Sequence, residues 1–133
     1  MQRVAQNGDD LRHASDELKG DRTIVMAAVT QNGDISGDTL EYASDECKND
    51  KAVVMAAVVR WGMALQYASD NMKKDKAVVM TAVAESGWAL KHASDELKGN
   101  KKVVLAAVGQ WGFAIQYASA ALKSDNAVVM AAV

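Results

Sequence analysis

The chain has no proline, a single cysteine and only seven aromatic residues, and each shortage excludes a class of protein. One cysteine cannot form an internal disulfide, so a disulfide scaffold is excluded and a reducing, intracellular compartment is expected. The absence of proline excludes a proline-rich linker. Because alanine, valine, methionine and leucine supply most of the apolar half, the composition favours a nearly all-helical chain.

The chain also lacks an excess of either charge, because 15 Lys and Arg residues stand against 17 Asp and Glu residues. This balance excludes a strongly basic nucleic-acid binder and an acidic disordered tail. The longest apolar run, from Ala52 to Val59, has eight residues, whereas a helix needs about 20 to cross a bilayer. The first seven residues lack the apolar core of a signal peptide. The sequence therefore predicts no membrane span and no secretion.

What the chain does contain is an internal repeat. Ala-Ser pairs recur with serine-to-serine spacings of 29, 25, 25 and 25 residues. Units of about 25 residues begin at five glycines, Gly8, Gly37, Gly62, Gly87 and Gly112. Residues 1–7 are a lead-in, and an insertion at 33–36 accounts for the longer first spacing. Residues 1–133 are therefore interpreted as a single helical-repeat array.

Each unit is predicted to form two short helices. Helix A follows the glycine, since Ala64, Leu65, Ala68 and Met72 share one face at helical spacing. Helix B, such as 53–58, is apolar on nearly all sides and is predicted to form the buried layer. We expect the next glycine to end helix B in a left-handed conformation. The position before each helix B holds a residue that caps helix N-termini: Asp21, Asp50, Asp75, Asn100 and Asp125.

Helices of about ten residues are marginally stable in water, so no unit can stand alone. Stability must come from the stacking of neighbouring units, as in solenoid proteins. The sequence therefore predicts an all-α fold, an α-solenoid of five two-helix repeats that is two-layered and curved.

The unit motif resembles a known family. It reads Gly-x-x-Leu-x-Tyr/His-Ala-Ser-Asp-Glu-Leu-Lys-x-Asp-Lys-x-Val-Val-Met-x-Ala-Val and is similar to the repeats of the domain of unknown function 4116 family. The resemblance runs from Gly8 to Val133. It departs from the motif at 38–39, where Asp and Thr replace apolar residues, and at 120–121, where two alanines replace an acidic pair. Because the family has no established activity, the resemblance implies the fold and no chemistry.

The residues that could carry chemistry all have a structural explanation in the repeat. Cys47 occupies a position that is Leu or Met in the other units, which favours core packing over a reactive thiol. His13 and His92 share a position with tyrosines and lie three units apart, too far to share a metal. The repeated serines are expected to bond to the carbonyl four residues back in their own helix. No catalytic residue, metal site or cofactor is predicted.

Two further patterns, a loop resembling part of an EF-hand and a cluster of charged residues, could indicate a binding function. Residues 32–38 follow the first half of an EF-hand loop, but the twelfth position is Ala43 instead of glutamate, so a surface loop is favoured. Eleven basic and eleven acidic residues crowd the turns before helix B. Helix caps and local ion pairs explain this balance, which leaves nucleic-acid binding as an alternative confined to the third and fourth units.

The aromatic residues are unevenly placed. Trp61 and Trp111 precede their glycines, while Met63, Trp88 and Phe113 follow theirs, at the edge between helix B and the next helix A. The first two units carry polar residues in these positions. Inter-repeat packing and a docking surface both remain possible interpretations, and these five residues are the candidate partner-docking edge.

The chain begins and ends in the phase of helix B, without a polar capping repeat. We expect either that the array is part of a longer one or that another chain covers its ends. The predicted function is a non-catalytic protein–protein interaction scaffold or a structural subunit of a larger assembly. The alternative is a structural protein that forms filaments by head-to-tail association of open solenoid ends.

Overall fold

The computed structural model describes residues 15–30 and 38–133, and every regular element in these ranges is helical. The second to fifth units each contain a 3₁₀ helix, a single turn of α-helix and a longer helix B, and the last two of these are also described for the first unit. The 3₁₀ helices are Asp38–Tyr42, Gly62–Tyr67, Gly87–His92 and Gly112–Tyr117. The one-turn helices are Asp16–Lys19, Asp45–Lys48, Asp70–Lys73, Asp95–Lys98 and Ala120–Lys123. The helices B are Arg22–Val29, Lys51–Arg60, Lys76–Glu85, Lys101–Gln110 and Asn126–Ala132.

The helices form the two layers that the sequence predicts. Each helix B packs against helix B of the next unit, and the 3₁₀ helices pack against each other in a second layer. The valines of helix B form the centre of the core, and Val53, Val78 and Val103 are fully buried. Cys47 is also buried in this core, as predicted. The all-α repeat solenoid is therefore confirmed, and its curvature stays a prediction.

The segment predicted as helix A is divided into two helices. After the 3₁₀ helix of the third unit, Ala68 and Ser69 are extended, with ψ of 159° and 163°. The α-helix then starts afresh at Asp70. The fourth and fifth units repeat this break. The cause is the serine, which acts as an N-cap and therefore needs an extended backbone.

The expected role of the serine hydroxyls is wrong. In the second to fifth units the hydroxyl accepts the N–H three residues ahead, at 3.3 to 3.4 Å, instead of donating four residues back. An N-cap serine precedes its helix, so there is no helical carbonyl behind it for its hydroxyl to reach. The acidic residues that follow, such as Asp95 and Glu96, lie in the first turn of the helix, where their negative charge interacts favourably with the positive end of the helix dipole.

The same serines join neighbouring units through their backbone. The N–H of Ser44 donates to the carbonyl of Lys19 in the preceding unit, at 2.9 Å. The bond recurs from Ser69 to Lys48, from Ser94 to Lys73 and from Ser119 to Lys98, at 2.9 to 3.0 Å. These lysine carbonyls lie at the C-terminal ends of one-turn helices and would otherwise lack a helical partner. A backbone hydrogen-bond ladder therefore runs along the array.

A second series of interactions is made by the N-cap residues of the helices B. Each cap accepts a backbone N–H of its own helix, and most caps also form an ion pair with the first residue of helix B in the unit before. Asp50 accepts the N–H of Val53 at 3.2 Å, and the other four predicted caps act alike. Arg22 also donates to Asp50 one unit ahead, at 2.7 Å. Lys51 and Asp75 repeat this pair at 3.2 Å, as do Lys101 and Asp125. The fourth cap is Asn100, which carries no charge to attract Lys76.

In the third to fifth units, the glycine that starts the 3₁₀ helix is needed for close approach, and not for the left-handed conformation that the sequence predicts. Gly62, Gly87 and Gly112 have no φ in the left-handed range, and the residues before them are extended. A Cβ on Gly87 would lie 2.8 Å from the carbonyl oxygen of Ala107 in helix B of the same unit. The 3₁₀ helix can therefore lie directly on helix B only where the side chain is absent.

Gly87→Ala should destabilise the fold by roughly 1–3 kcal/mol, because the new methyl group overlaps a backbone carbonyl that cannot rotate away. Gly109→Ala is the matched control, since Gly109 lies in helix B and a Cβ there meets nothing within 4 Å. This second change should stabilise by about 0.5–1 kcal/mol through helix propensity. Urea unfolding followed by circular dichroism measures both effects. Equal effects from the two changes would contradict the close-approach explanation.

Asp75→Asn should lower stability at pH 7 by roughly 0.2–1 kcal/mol, because it keeps an N-cap of the Asn100 type and loses the pair with Lys51. Burial alone would raise the pKa of Asp75, but hydrogen bonds from Val78 N–H and Lys51 outweigh it and lower the pKa. A carboxyl group whose pKa is lower in the folded than in the unfolded state adds stability at pH values above its unfolded-state pKa. This stability is lost as the pH falls through the folded-state pKa.

Wild type should therefore lose stability more steeply than Asp75→Asn between about pH 5 and 3, as measured by urea unfolding at each pH. The reciprocal change, Asn100→Asp, should add a pair with Lys76 and steepen the same pH dependence. Superimposable pH profiles for wild type and both variants would show that the ion pairs do not contribute.

Candidate protein-docking edge

The candidate edge lies at the junction between helix B and the following 3₁₀ helix. Trp61 and Trp111 each directly follow a helix B and have extended backbones, with φ of −149° and −146°. The N–H of Trp111 donates to the Ala107 carbonyl at 3.0 Å, and its own carbonyl accepts the Ala114 N–H at 2.9 Å. Both backbone groups are fixed, so the ring projects from a rigid position on the array.

The five candidate residues differ in how far they are exposed. Trp61 and Met63 are half-buried and pack against the core, and Trp88 is also half-buried. Trp111 is 45% exposed and Phe113 is 71% exposed. The two interpretations left open by the sequence therefore apply to different units: the edge is inter-repeat packing near Trp61 and open surface near Phe113.

The half-buried Trp88 connects the exposed part of the edge to the array. Its ring meets the Trp111 ring edge to face, with centroids 5.0 Å apart and an interplanar angle of 61°. It meets the Tyr117 ring at 5.8 Å and 62°. Edge-to-face pairs of this kind contribute about 0.5–1.5 kcal/mol beyond area burial. The cluster holds Trp111 in a fixed orientation while leaving much of its surface open to solvent.

Polar groups along this edge are engaged in the fold. The Glu85 carboxylate accepts the N–H of Gly62, and the Gln110 side-chain amide donates to the Ala84 carbonyl at 2.6 Å. The first bond joins the end of the third unit's helix B to the glycine that begins the same unit. The second joins the end of the fourth unit's helix B to the end of the third unit's helix B. Both polar side chains are therefore held in place by the fold, and Gln110 directly precedes the exposed Trp111 in the sequence.

His92 is half-buried, as the shared position with tyrosine predicts. Burial lowers the pKa of its imidazole below the usual 6.5, and the charges of Lys91, Lys73 and Lys98 lower it further. Both effects favour the neutral form of the imidazole. His13 and the loop resembling an EF-hand at 32–38 lie outside the described residues except for Asp38.

No three His, Cys, Asp or Glu side chains of residues 15–30 and 38–133 lie close enough together to hold a metal ion. In the same part of the chain, no helix combines the length and hydropathy of a membrane span.

The structure shows an apolar surface at the C-terminal end of the array, where the sequence predicts that a polar capping repeat is lacking. A groove of about 610 Å³ lies between the 3₁₀ helix and helix B of the fifth unit. Phe113, Ile115, Val129 and Val133 are among its lining residues. Val129 and Val133 occupy positions that are buried in the other four units.

These features define the class of protein, a two-layered α-solenoid whose short units are joined by a ladder of serine N–H groups. A family model described as "Domain of unknown function (DUF4116)" matches residues 1–36 and 53–98, more than half of the chain. The chain therefore belongs to this family, which the repeat motif predicted. The matched segments stop at residue 98, although the motif resemblance continues to Val133. No curated protein and no solved structure matches the chain.

Proposed function

We propose that the protein is a non-catalytic scaffold that binds a protein partner through the aromatic edge of its fourth and fifth units. The observation that carries this proposal is the exposed pair Trp111 and Phe113 on a rigid backbone, with Trp88 packed behind them. A large exposed aromatic side chain on a fixed support is the usual anchor of a protein interface, since little conformational entropy is lost on binding.

The partner that fits this edge presents an apolar pocket or groove with a polar rim. The aromatic rings supply contact area, while Gln110 and the surrounding helix ends supply polar groups at the border. The half-buried Trp61 and Met63 are less suited to contact, because they already pack against the core. We therefore place the binding energy at the C-terminal end of the candidate edge.

A catalytic function has less support. The buried thiol of Cys47 donates to the Gly20 carbonyl at 3.8 Å and is enclosed by the core, out of reach of a substrate. His92 stands among lysines, as described above. Each of these groups has a role in the repeat, which supports a binding role for the protein.

Trp111→Ala should weaken partner binding about tenfold or more, because it removes an exposed aromatic anchor from the C-terminal part of the edge. The partner is first identified by affinity capture from the native source and mass spectrometry, and is then produced in pure form. Isothermal titration calorimetry with the pure partner gives the dissociation constant for wild type and variant.

Val59→Ala is the matched control, since Val59 is another exposed apolar residue, lying on helix B of the second unit away from Trp111. Its affinity should equal that of wild type, and circular dichroism should show unchanged helicity for both variants. An unchanged affinity for Trp111→Ala, with a partner that binds wild type tightly, would refute the proposed edge.

A further inference from the structure

The series of ion pairs that joins the units has one gap, at the junction between the third and fourth units. At the other three junctions a cation that begins helix B lies against an acidic cap, as Lys51 does against Asp75 at 3.2 Å. At the gap the cap is Asn100, whose side-chain oxygen accepts the N–H of Val103. Lys76, which occupies the place of Lys51, therefore faces a cap without a carboxylate. The gap lies inside the array, with a described unit on each side.

Lysines are concentrated at this junction. The two segments that meet there, 73–76 and 98–102, hold six lysines and a single acidic residue. Lys101 is paired with Asp125, and the single acid is paired with Lys51. Five lysines of these segments have no ion pair with any described residue: Lys73, Lys74, Lys76, Lys98 and Lys102. We call these five residues the junction cluster.

The members of the junction cluster belong to two units that are in direct contact. The carbonyl of Lys73 accepts the Ser94 N–H of the next unit at 2.9 Å. Burial lowers the pKa of the His92 imidazole, and the charges of Lys73 and Lys98, one from each unit, lower it further. Ammonium groups of both units therefore act on one half-buried ring. Because like charges repel, a bound anion would relieve the strain that this arrangement places on the fold.

The chemistry of the junction cluster favours a compact phosphate-bearing anion. A lysine ammonium binds phosphate as a point charge, whereas a planar carboxylate is matched best by the fork of an arginine, and the cluster holds only lysines. The one-turn helices that end in cluster lysines begin with exposed acids, Asp70 in the third unit and Asp95 and Glu96 in the fourth. These carboxylates lie about one helical turn from the lysines. An extended polyanion would be repelled by them, and a compact one would not.

We propose that the junction cluster binds a compact soluble anion that carries two or more phosphoryl groups. The anion takes the place that a carboxylate cap fills at the other junctions, opposite Lys76, and contacts lysines of both units. It thereby joins the third and fourth units as the ion pairs join the others. The site lies at the start of the helix Lys101–Gln110, whereas Trp111 follows the end of the same helix, about 15 Å away. The proposal therefore does not depend on the partner proposed for the aromatic edge.

Isothermal titration calorimetry with inorganic tripolyphosphate, in about 50 mM salt, tests the proposal. Wild type should bind a single anion with a dissociation constant on the order of 10–100 µM. Asn100→Asp should weaken binding about fivefold or more, because the new carboxylate pairs with Lys76 and repels the ligand. Since the same change adds an ion pair to the fold, a loss of binding cannot be ascribed to unfolding.

Val59→Asp is the matched control, since it adds the same charge on an exposed residue near the end of a helix B, away from the caps. Its affinity should equal that of wild type. Asp75→Asn is the reverse change, because it removes the acid between cluster lysines and frees Lys51, and it should tighten binding about fivefold. No binding by wild type, equal affinities of wild type and Asn100→Asp, or equal weakening by Val59→Asp would each overturn the proposal.

Two extended ligands test the assignment to a compact anion. A short oligothymidylate and vesicles that contain a phosphorylated inositol lipid should both bind more weakly than tripolyphosphate at equal phosphoryl concentration, because the neighbouring carboxylates repel them. Tighter binding of either would overturn the proposal. None of these measurements involves partner binding by Trp111, so failure here and failure of the proposed function are distinguishable.

Discussion

One hydrogen bond recurs at every junction between the five units, from the serine N–H of the second to fifth units to a lysine carbonyl of the unit before. The bond requires the extended Ala-Ser step, because only a break between the 3₁₀ helix and the one-turn helix turns the serine N–H outward. The break leaves N–H groups at the start of the one-turn helix without a helical acceptor, and the serine hydroxyl accepts one of them. The lysine carbonyl at the end of the previous one-turn helix is satisfied at the same time. Each unit is too short to fold alone, so this backbone link complements the valine packing that supplies most of the burial energy.

Repetition explains which features the sequence could predict. The Asp caps, the buried helix B and the period of 25 residues recur in unit after unit, so local ambiguity in one unit was resolved by the others. The division of helix A could not be seen in the apolar spacing, because Leu65 and Met72 are also compatible with a continuous helix. The available signal was chemical: serine followed by acidic residues is typical of a helix start. The glycine posed a different problem. A sequence shows that Gly87 has no side chain, but only the position of the Ala107 carbonyl shows why it cannot have one.

The candidate edge illustrates the same limit at the level of function. Its residues could be placed together from their positions beside the unit glycines, and the structure places them at one type of junction. Their exposure could not be predicted, since it depends on neighbouring segments. Trp61 and Met63 are half-buried against the core, whereas Trp111 and Phe113 remain accessible.

The contacts between units are directional. At three of the four junctions between units, a cation at the start of helix B lies against the acidic cap one unit ahead, as Arg22 does with Asp50. At the remaining junction the cap is Asn100, which has no charge for Lys76 to pair with. The serine N–H bonds run in the opposite direction, from each unit to a carbonyl of the unit before it. Each junction therefore joins two different surfaces, so the forward and backward sides of a unit are not interchangeable and the solenoid has a single polarity.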